Sequence, residues 1–293
     1  MLRWSILGVL ALVFLVTGFV LMTYHDLPGA TAREPVGERQ DLDAGGAHIV
    51  TFHLGDGPEI VMFASAGREA SDFNELAGTL AAVGYSVTLF EAPGINGATA
   101  SAAEPSLDDL ADDAGRYLAT REAPVVVLGH AFGNRLARAV AARHPERVRG
   151  VILLAAGGLI PIEPEAALAL RNSFDPKLTR AEREAAVRYG FFAEGNPVPD
   201  HWMRGWHAAT GQMQGAATRA TDSATWWDGG GKPMLVIAGL QDTIAPPADT
   251  IDLLEAAYPD QVTAVRIDGA GHALLPELPE RVSGTVIAWL AGL

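Results

Sequence analysis

From about Arg33 onward the chain alternates short apolar runs with stretches whose apolar residues recur every three or four positions. That is the pattern of a mostly parallel sheet covered by helices on both faces, a doubly wound α/β architecture. His48 to Leu54 and Glu59 to Ser65 predict early strands, joined through Gly55-Asp56-Gly57 in a sequence that signals a hairpin. Phe73, Leu76, Leu80 and Val83 predict a helix that Ser71 caps and Gly84 ends. Ser86 to Phe90 is the next strand, and Leu107 to Leu118 a helix capped by Ser106, with its aspartates near the positive end of the dipole. Val125 to Leu128 is too continuously apolar for a half-exposed strand and is therefore placed centrally, buried on both faces. The helix after it buries Leu136, Ala137 and Val140 and stops before Pro145. Val151 to Ala155, Met234 to Ala238 and Val262 to Ile267 supply later strands, and Pro279 to Leu290 closes the chain as a helix with Val282, Val286 and Leu290 on one face.

Between Gly157 and Gly229 the alternation lapses for roughly 70 residues, far too long for a structureless loop inside a compact domain. Helices are expected there. Thr179 and Glu182 make a capping box for a helix ending near Gly190, and Asp200 caps another that places Trp202 and Trp206 one turn apart. The segment reads as a cap over the carboxyl edge of the sheet, with Trp226 and Trp227 at its return and Gly229-Gly230-Gly231 as a hinge or linker. The domain division that follows is 1–32 as an N-terminal segment, 33–157 with 229–293 as the core, and 158–228 as the helical cap.

The N-terminal segment changes the picture of where such a domain works. After Arg3, Ser5 to Met22 carries no charge and reaches roughly the ~20 residues that span a bilayer. Its length favours an uncleaved transmembrane anchor over a signal peptide, although Ala30-Thr31-Ala32 fits a cleavage site that would release a secreted protein. Arg3 on the near side and an acidic remainder place the globular part outside the cytoplasm, periplasmic or extracellular, with the membrane as a partner through this segment. A net charge of -14 removes the phosphate attraction that drives nucleic-acid binding. The absence of cysteine excludes disulfides, thiolate chemistry and a cysteine-borne lipid anchor.

Candidate chemistry centres on Gly129-His130-Ala131-Phe132-Gly133. A strand, a Gly-x-x-x-Gly turn and a helix together project one residue from a strained corner above a sheet, and the glycines let the backbones approach. Nearly everything after the N-terminal segment resembles the α/β-hydrolase superfamily. The central turn residue of that family is usually Ser, sometimes Asp or Cys, and here it is Ala131. The resemblance implies an acid and a histidine in that chain order, which Asp242, at the end of the run Leu235 to Asp242, and His272, in Gly269-Ala-Gly-His272, supply. Asp242 would hold the tautomer of His272 and stabilise its cationic form. It also implies an oxyanion hole of two backbone N–H groups, assigned to Phe132 and Ala66. Relatives commonly show His-Gly at the second of these places, whereas this chain has Ala64-Ser65-Ala66-Gly67-Arg68. Ser65 is a further hydroxyl there, and Arg68 is read as a surface charge in preference to an anion receptor. Family members often carry His at position 130, so His130 is assigned a structural hydrogen bond, and Glu91 is expected to bond loop amides. Trp202, Trp206 and Trp226 are candidates for lining an apolar substrate pocket, a role that packing of the cap would equally explain. His201 and His207 have no accompanying carboxylate or cysteine cluster, so no metal is expected, and no cofactor.

Alanine has no lone pair, so no covalent intermediate forms at position 131. Two readings stay open. One is an enzyme in which the His272 and Asp242 dyad acts as general base on a small, mostly apolar, ester-like or carbonyl-containing substrate. The other is a catalytically silent relative that binds a small apolar ligand.

Overall fold

The most continuously apolar runs of the chain become the centre of a single sheet. In a computed structural model, which describes residues 27–293, the strands are β1 (Glu38–Ala44), β2 (Ala47–Leu54), β3 (Glu59–Phe63), β4 (Ser86–Phe90), β5 (Val125–His130), β6 (Val148–Leu154), β7 (Met234–Gly239) and β8 (Val262–Ile267). They lie in the order β1-β2-β4-β3-β5-β6-β7-β8. β1, β2 and β4 pair antiparallel and all later pairs are parallel. Every residue of β5 and β7 is buried, while the edge strand β1 is largely exposed and the other edge strand, β8, is mostly half-buried. The α/β-hydrolase architecture anticipated from the sequence is the one observed.

The α-helices are α1 (Asn74–Ala82), α2 (Leu107–Leu118), α3 (Phe132–Arg143), α4 (Pro164–Ser173), α5 (Arg180–Phe191), α6 (Ala208–Arg219), α7 (Ile251–Ala257), α8 (Leu274–Glu277) and α9 (Pro279–Leu290). Alternate residues of β5 feed two separate cores. Val125 and Val127 pack with Leu110, Ala137, Val140 and Leu254 of α2, α3 and α7, while Val126 and Leu128 pack with Leu80, Val282 and Val286 of α1 and α9. The two-residue side-chain period of a strand thus binds one helical layer to each face. Ser106 caps α2 in a reciprocal pair with Asp109, and Thr179 caps α5 with Glu182 in the same way. The long interval between β6 and β7 holds α4, α5 and α6.

Several local expectations are corrected. Gly55-Asp56-Gly57 makes no hairpin: β2 pairs with β1 and β4, and β3 with β4 and β5. β1, too polar to stand out in the sequence, makes the hairpin with β2 across Gly45-Gly46, both at positive φ. Ser71 caps nothing, because Ala70–Phe73 is a 3-10 turn before α1, and Val83 is 51% exposed beyond the end of the helix. Trp202 and Trp206 do not share a helix. Asp200–Met203 is a single 3-10 turn, the chain breaks at Gly205 with φ +73, and α6 starts only at Ala208.

The membrane-anchored, extracytoplasmic placement is also corrected. Among the described residues no helix is long and apolar enough to cross a membrane. The longest of them have 12 residues, about 18 Å of helix against a hydrocarbon core about 30 Å thick. Ser5 to Met22, on which the transmembrane and signal-peptide expectations rested, lies outside the described residues, and Ala32, at the supposed cleavage site, is buried, its N–H bonded to Glu69 at 3.0 Å.

Gly229-Gly230-Gly231 is a packed turn, not a linker. Asp228 Oδ1 accepts the Gly230 N–H at 2.9 Å, and a Cβ at Gly230 would stand 2.6 Å from the Ala141 carbonyl oxygen of α3. Gly231 has a similar φ, +71 against +65, but open space around it. Gly231→Ala is therefore expected to cost about 1–2 kcal/mol, the left-handed backbone penalty alone, and Gly230→Ala about 1–3 kcal/mol more from the clash with α3. Chemical denaturation of the two variants checks this difference; equal losses would refute the packing argument.

Candidate active site

The corner between β5 and α3 is fixed by contacts that only glycine permits. A Cβ on Gly129 would lie 2.1 Å from the Gly133 carbonyl carbon, and one on Gly133 would lie 1.9 Å from the Phe63 carbonyl oxygen. Between them Ala131 is held at φ 50°, ψ −108°, a conformation that costs a residue with a side chain about 1–3 kcal/mol. Its N–H donates to the Leu154 carbonyl at 3.0 Å and its carbonyl accepts from the Asn134 N–H at 3.2 Å and from the Asn134 amide Nδ2. The strand, the turn and the first residues of the helix are thereby locked to β3 and β6. The Phe132 N–H opens α3 and has no preceding carbonyl of the helix to bond, so it remains a donor at the positive end of the helix dipole.

Asp242 and His272 converge beside this corner from the ends of β7 and β8. Asp242 follows the buried β7, and its Oδ1 accepts from the N–H groups of Ile244 at 2.9 Å and Ala245 at 2.8 Å. Its Oδ2 lies 2.8 Å from His272 Nδ1. Both side chains are buried. A carboxylate at Nδ1 sets the proton there and leaves Nε2 as the basic nitrogen.

The loop that carries His272 is braced from three sides. His130 Nε2 donates to the His272 carbonyl at 2.8 Å, as the structural assignment of His130 anticipated. Burial pushes the His130 pKa down to about 4, with the nearby His272 adding to the effect, so its ring is neutral. Glu277 accepts the N–H groups of Gly271 and Ala193, each at 2.7 Å, and burial raises its pKa. Gly239 lets the loop rest on β7, since a Cβ there would meet the Gly271 carbonyl oxygen at 2.4 Å. Phe191 of α5 crosses the His272 ring edge-on at 5.5 Å between centroids, bringing the helical segment over the dyad.

Ala131, Phe132, Ala66, Ser65 and His272 share a cleft of about 660 Å³, part of it open to solvent. That volume suits a small ligand. Of the residues proposed from the sequence, Ala131, His272, Phe132 and Ala66 line this one space, and Asp242 stands behind His272 without lining it. The three candidate tryptophans are not among its lining residues. Trp202 and Trp206 are buried against Arg68, whose guanidinium carbon lies 4.8 and 4.5 Å from their ring centroids. Trp226 is buried against Arg138 at 4.7 Å. Arg68 is correspondingly no surface charge: it is fully buried and bonds Asp72 through two nitrogens at 2.8 and 2.6 Å. Sequence reasoning missed Glu277 and also Arg135, which lines the cleft. The place of Arg135, in the first turn of the helix that follows Ala131, was the available signal for it.

Sheet order, glycine-bounded corner and the acid–histidine pair at the strand ends define an α/β-hydrolase. Residues 58–279 match the family model described as "Serine aminopeptidase, S33", and the chain belongs to that hydrolase family. No curated protein matched it by sequence. Among solved structures it is similar to the carboxylesterase CesB (YbfK) from Bacillus subtilis, at 14% identity and a TM-score of 0.70 over 94% of this chain and 99% of that one. It is likewise similar to a thermophilic esterase from Thermogutta terrifontis, at 22% identity and 0.67 over 87% and 98%. The E-2-(acetamidomethylene)succinate hydrolase gives 19% identity and 0.70 over 86% and 98%. These likenesses establish the fold.

Glu91, at the end of β4, bonds loop amides as expected: it accepts the Ala70 N–H at 3.1 Å and the Asn96 side-chain amide at 2.7 Å. Burial nevertheless pushes its pKa up to about 7 from 4.5. The two buried groups oppose each other in pH. Glu91, raised in the folded state, contributes stability that is full below 4.5 and lost as pH rises through about 7. His130, lowered from 6.5, contributes stability that is present above 6.5 and lost as pH falls through about 4. Melting temperatures from about pH 4 to about pH 8 should therefore lose their alkaline-side decline in Glu91→Gln and part of their acid-side decline in His130→Gln. Parallel profiles for wild type and both variants would contradict the assignment.

Proposed function

We propose that this protein is an α/β-hydrolase-fold enzyme that acts on a small, mostly apolar substrate with an ester-like or carbonyl group, through His272 oriented by Asp242 and without a covalent intermediate. The observation that carries the reading is the 2.8 Å contact between His272 Nδ1 and Asp242 Oδ2 at a cleft whose floor includes the Ala131 methyl. In this mechanism His272 Nε2 takes a proton from water, or from an O–H or C–H of the substrate, and the imidazolium that forms is stabilised by the Asp242 carboxylate. The developing oxyanion receives hydrogen bonds from the Phe132 and Ala66 N–H groups, the former reinforced by the α3 dipole. Ala131 leaves the place of a nucleophilic oxygen to the reacting water or to the substrate itself. Helices α4 to α6, residues 158–228 in the division above, act as the cap. Neighbours named as a carboxylesterase and an esterase lend weight to the ester-like class.

The dyad is tested by a panel of short esters, lactones and epoxides. His272→Ala is expected to lower the wild-type rate by ~10² to 10⁴-fold, the usual range for a positioned general base. Ala131→Ser is expected to add hydrolysis of short-chain aryl esters with a burst phase, because the corner and its donors are already in place. A wild type that turns over nothing, while a small apolar ligand still raises its melting temperature, would replace the enzyme by a binding protein.

A further inference from the structure

We propose that Arg135 makes the cleft selective for substrates bearing a carboxylate, which its guanidinium receives while the reacting carbonyl lies over Ala131; this rests on the cleft being the active site. Arg135 stands in the first turn of α3, four residues after Ala131, and lines the same cleft as Ala131 and His272. Arg135 lies in the first turn of the helix that starts directly after Ala131, so the corner that sets Ala131 also sets Arg135.

What marks this arginine is the lack of a protein partner. Among the described residues it makes no ion pair and no hydrogen bond, and its Nε is buried with nothing to donate to. The fully buried arginines, Arg68 and Arg138, are engaged. Arg68 is clamped by Asp72, and Arg138 donates to Asn134 Oδ1 at 2.5 Å and to the Gly157 carbonyl at 2.8 Å while lying over Trp226 and Trp227. Burial pulls the Arg135 pKa down, and no acidic group counters it. A desolvated cation without a counter-charge is costly to keep. An anion entering the cleft would offset that cost.

Space is kept for the group as well. A Cβ at Gly158 would come within 3.4 Å of Arg135 Nε and 2.9 Å of the Trp226 ring, so glycine leaves the guanidinium its room. The planar fork of arginine matches the two oxygens of a carboxylate. A phosphate fits less well: no lysine and no other arginine lines the cleft, while Glu163 and Asp249 do. A dianion would meet one cation and two carboxylates. A substrate with a single carboxylate, an apolar body and a carbonyl a few bonds away meets one cation at one end and the dyad at the other.

The test compares hexanoate with its neutral analogue hexanamide by titration calorimetry, with inorganic phosphate as a third ligand. Wild type should bind hexanoate at least about tenfold more tightly than hexanamide, the scale of a charged hydrogen bond, and phosphate more weakly than hexanoate. Arg135→Gln should bind hexanoate and hexanamide alike, with an unliganded melting temperature no lower than wild type because a buried unpaired charge has been removed. Arg135→Lys, which keeps the charge without the fork, should retain part of the preference. No hexanoate binding at millimolar concentration, equal binding of acid and amide by wild type, a preference that survives in Arg135→Gln, or phosphate binding as tight as hexanoate would each overturn the proposal. His272→Ala separates the two readings: it should lose turnover and keep the acid-over-amide preference. An inactive wild type with an Arg135-dependent preference would sink the catalytic reading and leave the carboxylate subsite standing.

Discussion

The close packing of Gly133 against the Phe63 carbonyl governs everything that happens at the site. With no Cβ allowed at either Gly129 or Gly133, the first turn of α3 sits directly on β3 and folds back against β5. That approach forces the residue between them into positive φ, and the cost falls on Ala131. In return the N-terminus of α3 points into the cleft with its dipole and its unbonded Phe132 N–H. One steric constraint therefore fixes the Phe132 N–H, the position of Ala131 at the cleft and the rotational setting of every later residue on α3.

The dyad depends on a second, independent brace. Asp242 is fixed by two N–H groups of its own loop, and His272 by the carbonyl bond from His130, itself on β5 beside Ala131. His130 thus ties the histidine loop to the corner. A neutral His130 suits that task, because a second positive charge 5.3 Å from the His272 ring would oppose the imidazolium that the proposed mechanism requires. His130 and His272 are coupled through geometry and electrostatics together.

How much of this was legible in the sequence follows from which forces are local. Val125 to Leu128, the Ser106 cap and the capping box of Thr179 and Glu182 were readable, since strand burial and capping depend on near neighbours. The corner was readable because its glycines stand at fixed spacing. β1 was not, since its residues are mostly polar and exposed and only pairing with β2 makes them a strand. Arg68 and the tryptophans were misjudged for a related reason. A charged side chain between two indoles is buried by partners distant in the chain: Trp202 and Trp206 are more than a hundred residues away, and nothing in the local pattern announces them. Trp226 and Arg138 repeat the same arrangement across the other side of the site. These tryptophans hold buried cations, so the apolar lining of the cleft comes from Phe132, Phe191 and aliphatic side chains such as Ile162, Leu170 and Ile244.

An alanine at the corner would be expected to release the strain if the corner had only one purpose, because a chain with no nucleophile gains nothing from aiming one. The backbone keeps it at φ 50° with both flanking glycines in contact. What the conformation still delivers is the placement of α3, whose first residue Phe132 and, in its first turn, Arg135 line the same cleft. Relaxing Ala131 into the ordinary helical region would rotate the start of the helix and move both. In the function proposed above, the retained strain serves electrostatics in place of nucleophilic attack: the Phe132 N–H and Arg135 would receive the two negative ends of one molecule, and the dyad would move its proton between them.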